Sequence, residues 1–303
     1  MLDNIPQFPE LAPLDLIHKP ALDAAFALHR PQISEFTFTN LYIWRHAYGA
    51  KITRFDDVIF LLSWRADPED SFVLPPLSDA ATLDQVRACL DLLRQEGHDP
   101  KFCRAERDVL DRLGITDAEF DVQSDRDDWD YLYRIQDLID LPENLYPDKV
   151  RHIRHFEQRF KFEYRPITPD LVPACQELQD LWCDDKHCDL YSSLRAEGRA
   201  VKEILGRLDE LSIRGGAILV NDRVQAFTLG EPLNDDTVVI HIEKATPDLH
   251  GAFQVINQQF LIHEWADRQY VNREQDVGDP GLRKAKESYL PVRMVEKFTV
   301  RPR

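Results

Sequence analysis

No stretch of about eighteen apolar residues, the length a bilayer-spanning helix requires, occurs in the sequence, and no integral membrane contact is expected. The start, MLDNIPQFPELAPLD, is acidic and proline-rich and lacks the charged-then-apolar order of a secretory signal, so a soluble, cytoplasmic protein is expected. Five cysteines (Cys89, Cys103, Cys175, Cys183, Cys188) form no C-x-x-C pair. An odd count without a secretory start fits a reducing compartment, and all five are read as thiols. The segment WCDDKHCDLY brings Cys183, His187 and Cys188 close in sequence but offers no second ligand pair, so no metal site is assigned. Also missing are G-x-S-x-G, a Walker loop and G-x-G-x-x-G, the motifs by which a serine nucleophile, a nucleoside triphosphate or a dinucleotide usually declares itself. Positive charge is scarce: 37 Lys and Arg face 54 Asp and Glu, for a net charge of −17. That balance argues against broad, nonspecific contact with a nucleic-acid backbone, which depends on neutralising phosphates.

What positive charge there is lies in two islands. KVRHIRHFEQRFKFEYR (149–165) and GLRKAKESYLPVRMVEKFTVRPR (281–303) carry local balances of +4 and +5, leaving −26 on the remainder. Such islands suit a specific anionic ligand, a phosphate-bearing cofactor or the end of a tRNA, and equally suit solvated helix faces. A length of 303 residues with 43% hydrophobic content suggests two domains, and the prolines and polar residues of LPENLYPDKV mark a boundary, giving 1–143 and 144–303.

Both halves read as α/β. In the first, KITRF and DVIFLLSW are strands around Asp56-Asp57, and SFVLPPL is a short strand. TLDQVRACLDLLRQEG is a helix opened by a Thr82/Gln85 capping box with Leu83, Val86, Leu90 and Leu93 as its stripe. PKFCRAE, RDVLDRLG and WDYLYRI read as strand, helix and closing strand. In the second half, FEYRPIT is a strand, DLVPACQELQDLW and LRAEGRAVKEILGRLDEL are helices, and AILVNDRVQAFTLGE is a hairpin turning at Asn221-Asp222. TVVIHIEKA is a strand, and GAFQVINQQFLIHEWAD is a helix with Phe253, Ile256, Phe260 and Leu261 on one side. The element order of the two halves is similar, although no residue-level repeat is visible.

Period-two alternation in TVVIHIEKA sets Val239, His241 and Glu243 on one face of the strand. A carboxylate among apolar neighbours is costly to ionise unless paired or wet, which makes Glu243 either a general base or half of a salt bridge. His241, alone on a strand, suits a satisfied core or surface role as well as a substrate contact. Gly251, in DLHGAFQ, permits close backbone approach at a helix start whose free N–H groups suit a phosphate or carboxylate; an ordinary tight turn looks the same. In VNREQDVGDPGLRKAKESYLP (271–291), Asp279 is the expected N-cap and Pro280 the first helical residue. Leu282, Ala285 and Tyr289 share an i, i+3, i+7 face that should point inward, with Arg283 and Lys286 facing elsewhere. Tyr289 suits a core ring or a general acid at a cleft.

HIEKA, HGAFQVINQQF and VNREQDVGDPGLRKAKESYLP, together with SEFTFTNLYIWR (34–45), resemble a bacterial family related to the C-terminal domain of phosphatidylglycerol lysyltransferases. The resemblance covers nearly the whole chain. It implies an α/β fold with mixed sheets in two tandem GNAT-type acyltransferase domains, the first degenerate. It further implies a catalytic glutamate at Glu243 and an acid at Tyr289, with a donor-binding turn at His250, Gly251 and Ala252. His241, Asn272, Arg273, Glu274 and Asp276 would line the acceptor side, and Arg283, Lys284 and Lys286 would be available to an anionic group. The turn keeps the family's glycine but has Asp248 where Gln or Arg is expected, and an acid there repels a pyrophosphate. The implied donor is an acyl-CoA, against which Asp248 argues, or, as the lysyltransferase relationship suggests, an aminoacyl-tRNA presenting its acceptor end. The expected activity is acyl or aminoacyl transfer to the amine or hydroxyl of a small-molecule acceptor. The alternative is a non-catalytic GNAT-fold module binding a small anion or a protein.

Overall fold

The computed structural model describes residues 2–303. In chain order the strands are β1 (Ala12–Pro13), β2 (Lys51–Phe55), β3 (Val58–Ser63), β4 (Phe72–Val73), β5 (Phe102–Ala105), β6 (Phe120–Ser124), β7 (Asp130–Arg134), β8 (Phe162–Pro166), β9 (Arg214–Val220), β10 (Arg223–Pro232), β11 (Thr237–Ala245), β12 (Tyr270–Asn272), β13 (Arg293–Val295) and β14 (Phe298–Pro302). The helices used below are α1 (Leu83–Gln95), α2 (Pro147–Arg159), α3 (Val172–Lys186), α4 (Ser192–Leu205), α5 (Ala252–Glu264) and α6 (Pro280–Glu287). They build two seven-stranded mixed sheets, ordered β1-β2-β3-β4-β5-β14-β6 and β13-β7-β12-β11-β10-β9-β8. Two compact units result: one of 1–130, 275–278 and 294–303, the other of 131–274 and 279–293. The strand WDYLYRI, read from the sequence as closing the first half, contributes β7 to the second sheet, while the C-terminal strand β14 pairs with β5 and β6 in the first.

In the first unit, α1 starts where its sequence says it should. Thr82 accepts from the Gln85 N–H at 3.3 Å and Gln85 accepts from the Thr82 N–H at 3.0 Å, satisfying two donors that a helix start otherwise leaves without partners. Val86, Leu90 and Leu93 then pack with Phe60, Phe102, Phe120 and Val300 in one apolar core. Ser34 and Glu35, from SEFTFTNLYIWR, take part in a buried charge cluster: Lys297 Nζ lies 2.7 Å from Glu35 and 2.7 Å from Asp130, and Arg104 lies 3.4 Å from Glu35. Ser34 donates its hydroxyl to Asp130. Burial alone would raise the Glu35 carboxyl, but Lys297 and Arg104 outweigh it and hold it below the ordinary range.

In the second unit, Asn221 and Asp222 both adopt positive φ (51° and 61°), the backbone of a two-residue turn whose twist matches its strands, and β9 and β10 pair across it. β11 extends this antiparallel sheet, and α5 covers it with Ile256, Phe260 and Leu261; full burial of each such side chain contributes roughly 1.5–3 kcal/mol. Phe253, expected on that face, is 39% exposed, because it lies in the first turn beyond the sheet's reach. The cysteines also differ from expectation. Cys183 and Cys188 form a disulfide, since a short helical turn after α3 folds the chain back and brings their Cα atoms to 5.0 Å; Cys89, Cys103 and Cys175 are buried thiols.

Candidate active site

The site begins with an early end to a strand. β12 runs parallel to β11 through Thr237↔Tyr270, Val238↔Val271 and Val239↔Asn272, and stops there while β11 continues to Ala245. Asn272 is responsible: its buried side-chain carbonyl accepts from the Glu274 N–H at 2.8 Å, and Glu274 takes φ 55°, turning the chain off the sheet. The β11 edge beyond Val239 is left without a strand partner on that side, and the side chains of His241 and Glu243 lie along this open stretch.

Glu243 is paired. One carboxylate oxygen accepts from Arg273 Nη2 at 3.0 Å and the other from Asn257 Nδ2 at 3.1 Å. The salt bridge that the sequence left open as an alternative is therefore formed, with a partner from the turn after β12. Both side chains are nearly buried, 14% exposed for Glu243 and 12% for Arg273. Burial works against the Arg273 charge, but Glu243 and the rings of Tyr133 and Tyr289 more than restore it. The guanidinium carbon lies 4.9 Å from the Tyr289 ring centroid and 5.8 Å from that of Tyr133, and Nη1 is buried with no hydrogen-bond partner. Tyr289 follows α6, and burial pushes its phenol well above the ordinary tyrosine value, only partly offset by Arg273. At neutral pH the ring carries its proton and can donate it. Lys149, from α2, sits 4.0 Å above the same ring and donates to Ser288 Oγ at 2.6 Å.

His241 occupies the other end. Its ring nitrogens lie 2.9 Å from Glu231 and 2.9 Å from Glu274, and its side chain is 1% exposed. Burial disfavours the imidazolium, but hydrogen bonds to the two carboxylates outweigh that and raise its pKa to about 9, so both nitrogens donate at neutral pH. It is a satisfied core cation.

The remaining expected residues are placed unevenly. On α6, capped by Asp279 accepting from the Leu282 N–H at 2.7 Å, the inward face differs from the one read from spacing. Leu282 and Ala285 are exposed, whereas Lys286 is buried, because its Nζ donates to the carbonyls of Arg273 (2.6 Å) and Glu274 (3.2 Å) that the sharp turn leaves free. Lys286 thus braces the site's backbone and does not stand free for an anion. Lys284 is exposed and Arg283 half-buried. Asp276 belongs to the first unit, where it lies 3.4 Å from Arg126 and accepts from the Gly278 N–H.

The turn before α5, where the resemblance puts a donor pyrophosphate, is tightly packed. Gly251 has φ 93° and is buried under α2: a Cβ there would lie 2.6 Å from the His152 carbonyl oxygen and 3.0 Å from Phe156. The Ala252 N–H already donates to the Leu249 carbonyl, and His250 is exposed. A helix start that binds phosphate needs free N–H groups; at this one the Ala252 N–H is already taken and the glycine lies tight against α2. No step is assigned to coenzyme A.

Four site residues escaped the sequence reading. Lys149 was visible only as part of a basic island, Glu231 and Tyr133 as ordinary strand positions, and Asn257 as a polar residue within an apolar helix face, which was the one signal available. Among the described residues no cluster of three His, Cys, Asp or Glu side chains is disposed to hold a metal, and no helix is long and apolar enough to cross a membrane.

A long central strand parting from its parallel neighbour after three residue pairs, with a helix following it, is the arrangement of a GNAT-like fold, and the two seven-stranded mixed sheets give the chain the tandem form of that fold. The tandem GNAT protein from the clavulanic acid biosynthesis pathway has the same fold, with a TM-score of 0.50 at 8% identity over 97% of this chain and 98% of that one. More specifically, residues 26–301 match the family described as phosphatidylglycerol lysyltransferase, C-terminal, and the chain belongs to that family. It is similar to a conserved protein of unknown function from Bacteroides thetaiotaomicron, with 29% identity and a TM-score of 0.89 over 97% of this chain and 99% of that one. The structure of L-PGS from Bacillus licheniformis is also similar in fold, with a TM-score of 0.64 at 11% identity, covering 99% and 94%. No curated protein matches the chain. The fourth-position strand of the first unit, β4, is two residues long where β11 has nine, so only the second unit has a strand long enough to make the opening.

Proposed function

We propose that the second unit catalyses acyl or aminoacyl transfer to an amine or hydroxyl acceptor. The observation that carries this reading is the convergence of Glu243, Arg273, Asn257 and Tyr289 at the opening between β11 and β12. In the reaction the acceptor nitrogen or oxygen bonds to the acyl carbon as the bond from that carbon to the leaving oxygen or sulfur breaks. Glu243 takes the acceptor's proton, directly or through water, and Tyr289 gives its proton to the leaving atom. The family name supports an aminoacyl group, and Asp248, whose charge would repel a pyrophosphate at the turn, favours a donor other than coenzyme A, such as an aminoacyl-tRNA. Glu243 reaches its role as base when Arg273 releases it.

The test is transfer of a labelled amino acid from a panel of aminoacyl-tRNAs, with acyl-CoAs in parallel, to amine acceptors. Tyr289→Phe and Glu243→Gln should each slow turnover by roughly 10²–10⁴, the usual contribution of a positioned acid or base, without loss of ligand affinity. Turnover unchanged by both substitutions would refute the assignment. One observation favours a second reading, a non-catalytic module: Glu243 is already held by two donors. Absence of transfer from every donor, with retained binding of a small anion, would select it.

A further inference from the structure

Glu243 satisfies one arm of Arg273, and the other arm is left over. The Tyr289 phenol also lies within hydrogen-bonding reach of the guanidinium, but Nη1 is buried without a well-aligned acceptor, a condition a native structure rarely tolerates unless something else completes it. Beside it stands a second cation, half-buried and without a carboxylate in contact. Lys149 reaches the same Tyr289 ring from α2, and its hydrogen-bond partner is the neutral hydroxyl of Ser288. Two positive charges and one carboxylate therefore meet around one phenol, with Arg273 and Glu243 nearly buried and Lys149 at the half-buried rim. Burial pulls Lys149 below the ordinary lysine value and Arg273 pushes the same way, with Asp148 and Glu243 opposing, which is the behaviour of a cation short of an anion.

We propose that Arg273 and Lys149 together bind an anionic group of the substrate, a carboxylate or a phosphate, at the face of Tyr289. The proposal rests on the transferase reading for the identity of the molecule but not for the binding itself. Lys149 is the movable member: its ammonium ends a flexible four-carbon stem, so an anion that draws it off the ring also brings the acceptor that Nη1 lacks. The planar guanidinium presents its Nη1 edge to that anion, which then shares the charge that Glu243 alone neutralises through Nη2. A phosphate would come from the end of an RNA donor, and a carboxylate from an acceptor that carries one.

Thermal unfolding of the full chain, titrated with inorganic phosphate or acetate at constant ionic strength in chloride, tests this, because an ion that binds only the folded state raises its stability. The expected result is a saturable rise with one of the two anions; phosphate points to the RNA donor and acetate to the carboxylate acceptor. Lys149→Gln should weaken that binding at least tenfold, and Lys149→Arg should restore most of it. Glu243→Gln, which removes the carboxylate competing for Arg273, should tighten it severalfold, an effect in the opposite direction that a general loss of structure cannot mimic. No saturable rise with either anion in the wild-type protein and in Glu243→Gln would overturn the proposal, as would binding indifferent to all three substitutions. Anion binding without any transfer activity would leave this site standing and remove the transferase reading; transfer without anion binding would do the reverse.

Discussion

His241 should make the second unit lose stability as the solution becomes alkaline. The folded protein holds this imidazole between Glu231 and Glu274 and raises its pKa from 6.5 to about 9, while in the unfolded chain it returns to the ordinary value. Between those two values the folded state carries a proton that the unfolded state does not. The group's stabilisation is therefore complete below pH 6.5 and is lost as pH rises through 9. One excess proton corresponds to a slope of about 1.4 kcal/mol per pH unit, which over this window amounts to ~3 kcal/mol. The measurement is urea unfolding at intervals from pH 6 to 9.5, with amide hydrogen exchange along β11 reporting the second unit specifically. Lys149 and Lys244, both held below the ordinary lysine value chiefly by burial, bind protons less readily in the folded state than in the unfolded chain and so contribute a slope of the opposite sign where they titrate. The decisive quantity is thus the difference between wild type and His241→Gln, which should be less stable at pH 6 and should lack most of the slope. Glu274→Gln, which leaves the imidazole one carboxylate, should shorten the window from its upper side. A wild-type slope equal to that of His241→Gln would refute the account of a doubly held imidazolium.

Lys297→Ala in the first unit should cost roughly 3–5 kcal/mol, because it strands Glu35 and Asp130 as buried carboxylates without their shared cation; a loss below about 1 kcal/mol in urea unfolding would show that water replaces the ammonium. Gly251→Ala should destabilise by more than ~1 kcal/mol, since a left-handed φ and the His152 carbonyl both oppose a Cβ. A neutral outcome there would mean that α2 yields readily, and that the turn before α5 is more open than its packing indicates.

Much of the fold is legible in the sequence because it is written in local terms. The Thr82/Gln85 box, the Asn221-Asp222 turn and the Asp279-Pro280 helix start each depend on neighbours within a few residues, and each forms as expected. The alternation in TVVIHIEKA likewise gave the common side of His241 and Glu243. What local pattern could not show is where a charged side chain finds its partner. Lys286 looked like a solvent-facing lysine by helical spacing, yet the carbonyls freed by the turn at Glu274 draw it inward. Lys149 and Arg273 are separated by more than a hundred residues of sequence, and only the folded second unit sets them over one ring. The disulfide was hidden for a related reason: a cysteine count speaks to the compartment, whereas the return of the chain after α3 decides which thiols meet.

A carboxylate whose two oxygens already accept from Arg273 and Asn257 must exchange one of those hydrogen bonds before it can accept a proton from a substrate. The pairing of Glu243 with Arg273 therefore bears directly on the order of events. If the substrate's anion competes for the same guanidinium, its arrival weakens Arg273's hold on Glu243 at the moment an acceptor is present to be deprotonated. Before that arrival, the carboxylate is kept from abstracting protons elsewhere. Binding of the anion and activation of the base then become one linked equilibrium, in which whatever tightens one side loosens the other. Glu243→Gln tests both halves together: a neutral amide cannot act as the base, so turnover should fall, while the arginine it no longer neutralises should hold the anion more strongly. Loss of turnover accompanied by weaker anion binding would separate the two roles and leave Glu243 as a structural partner of Arg273.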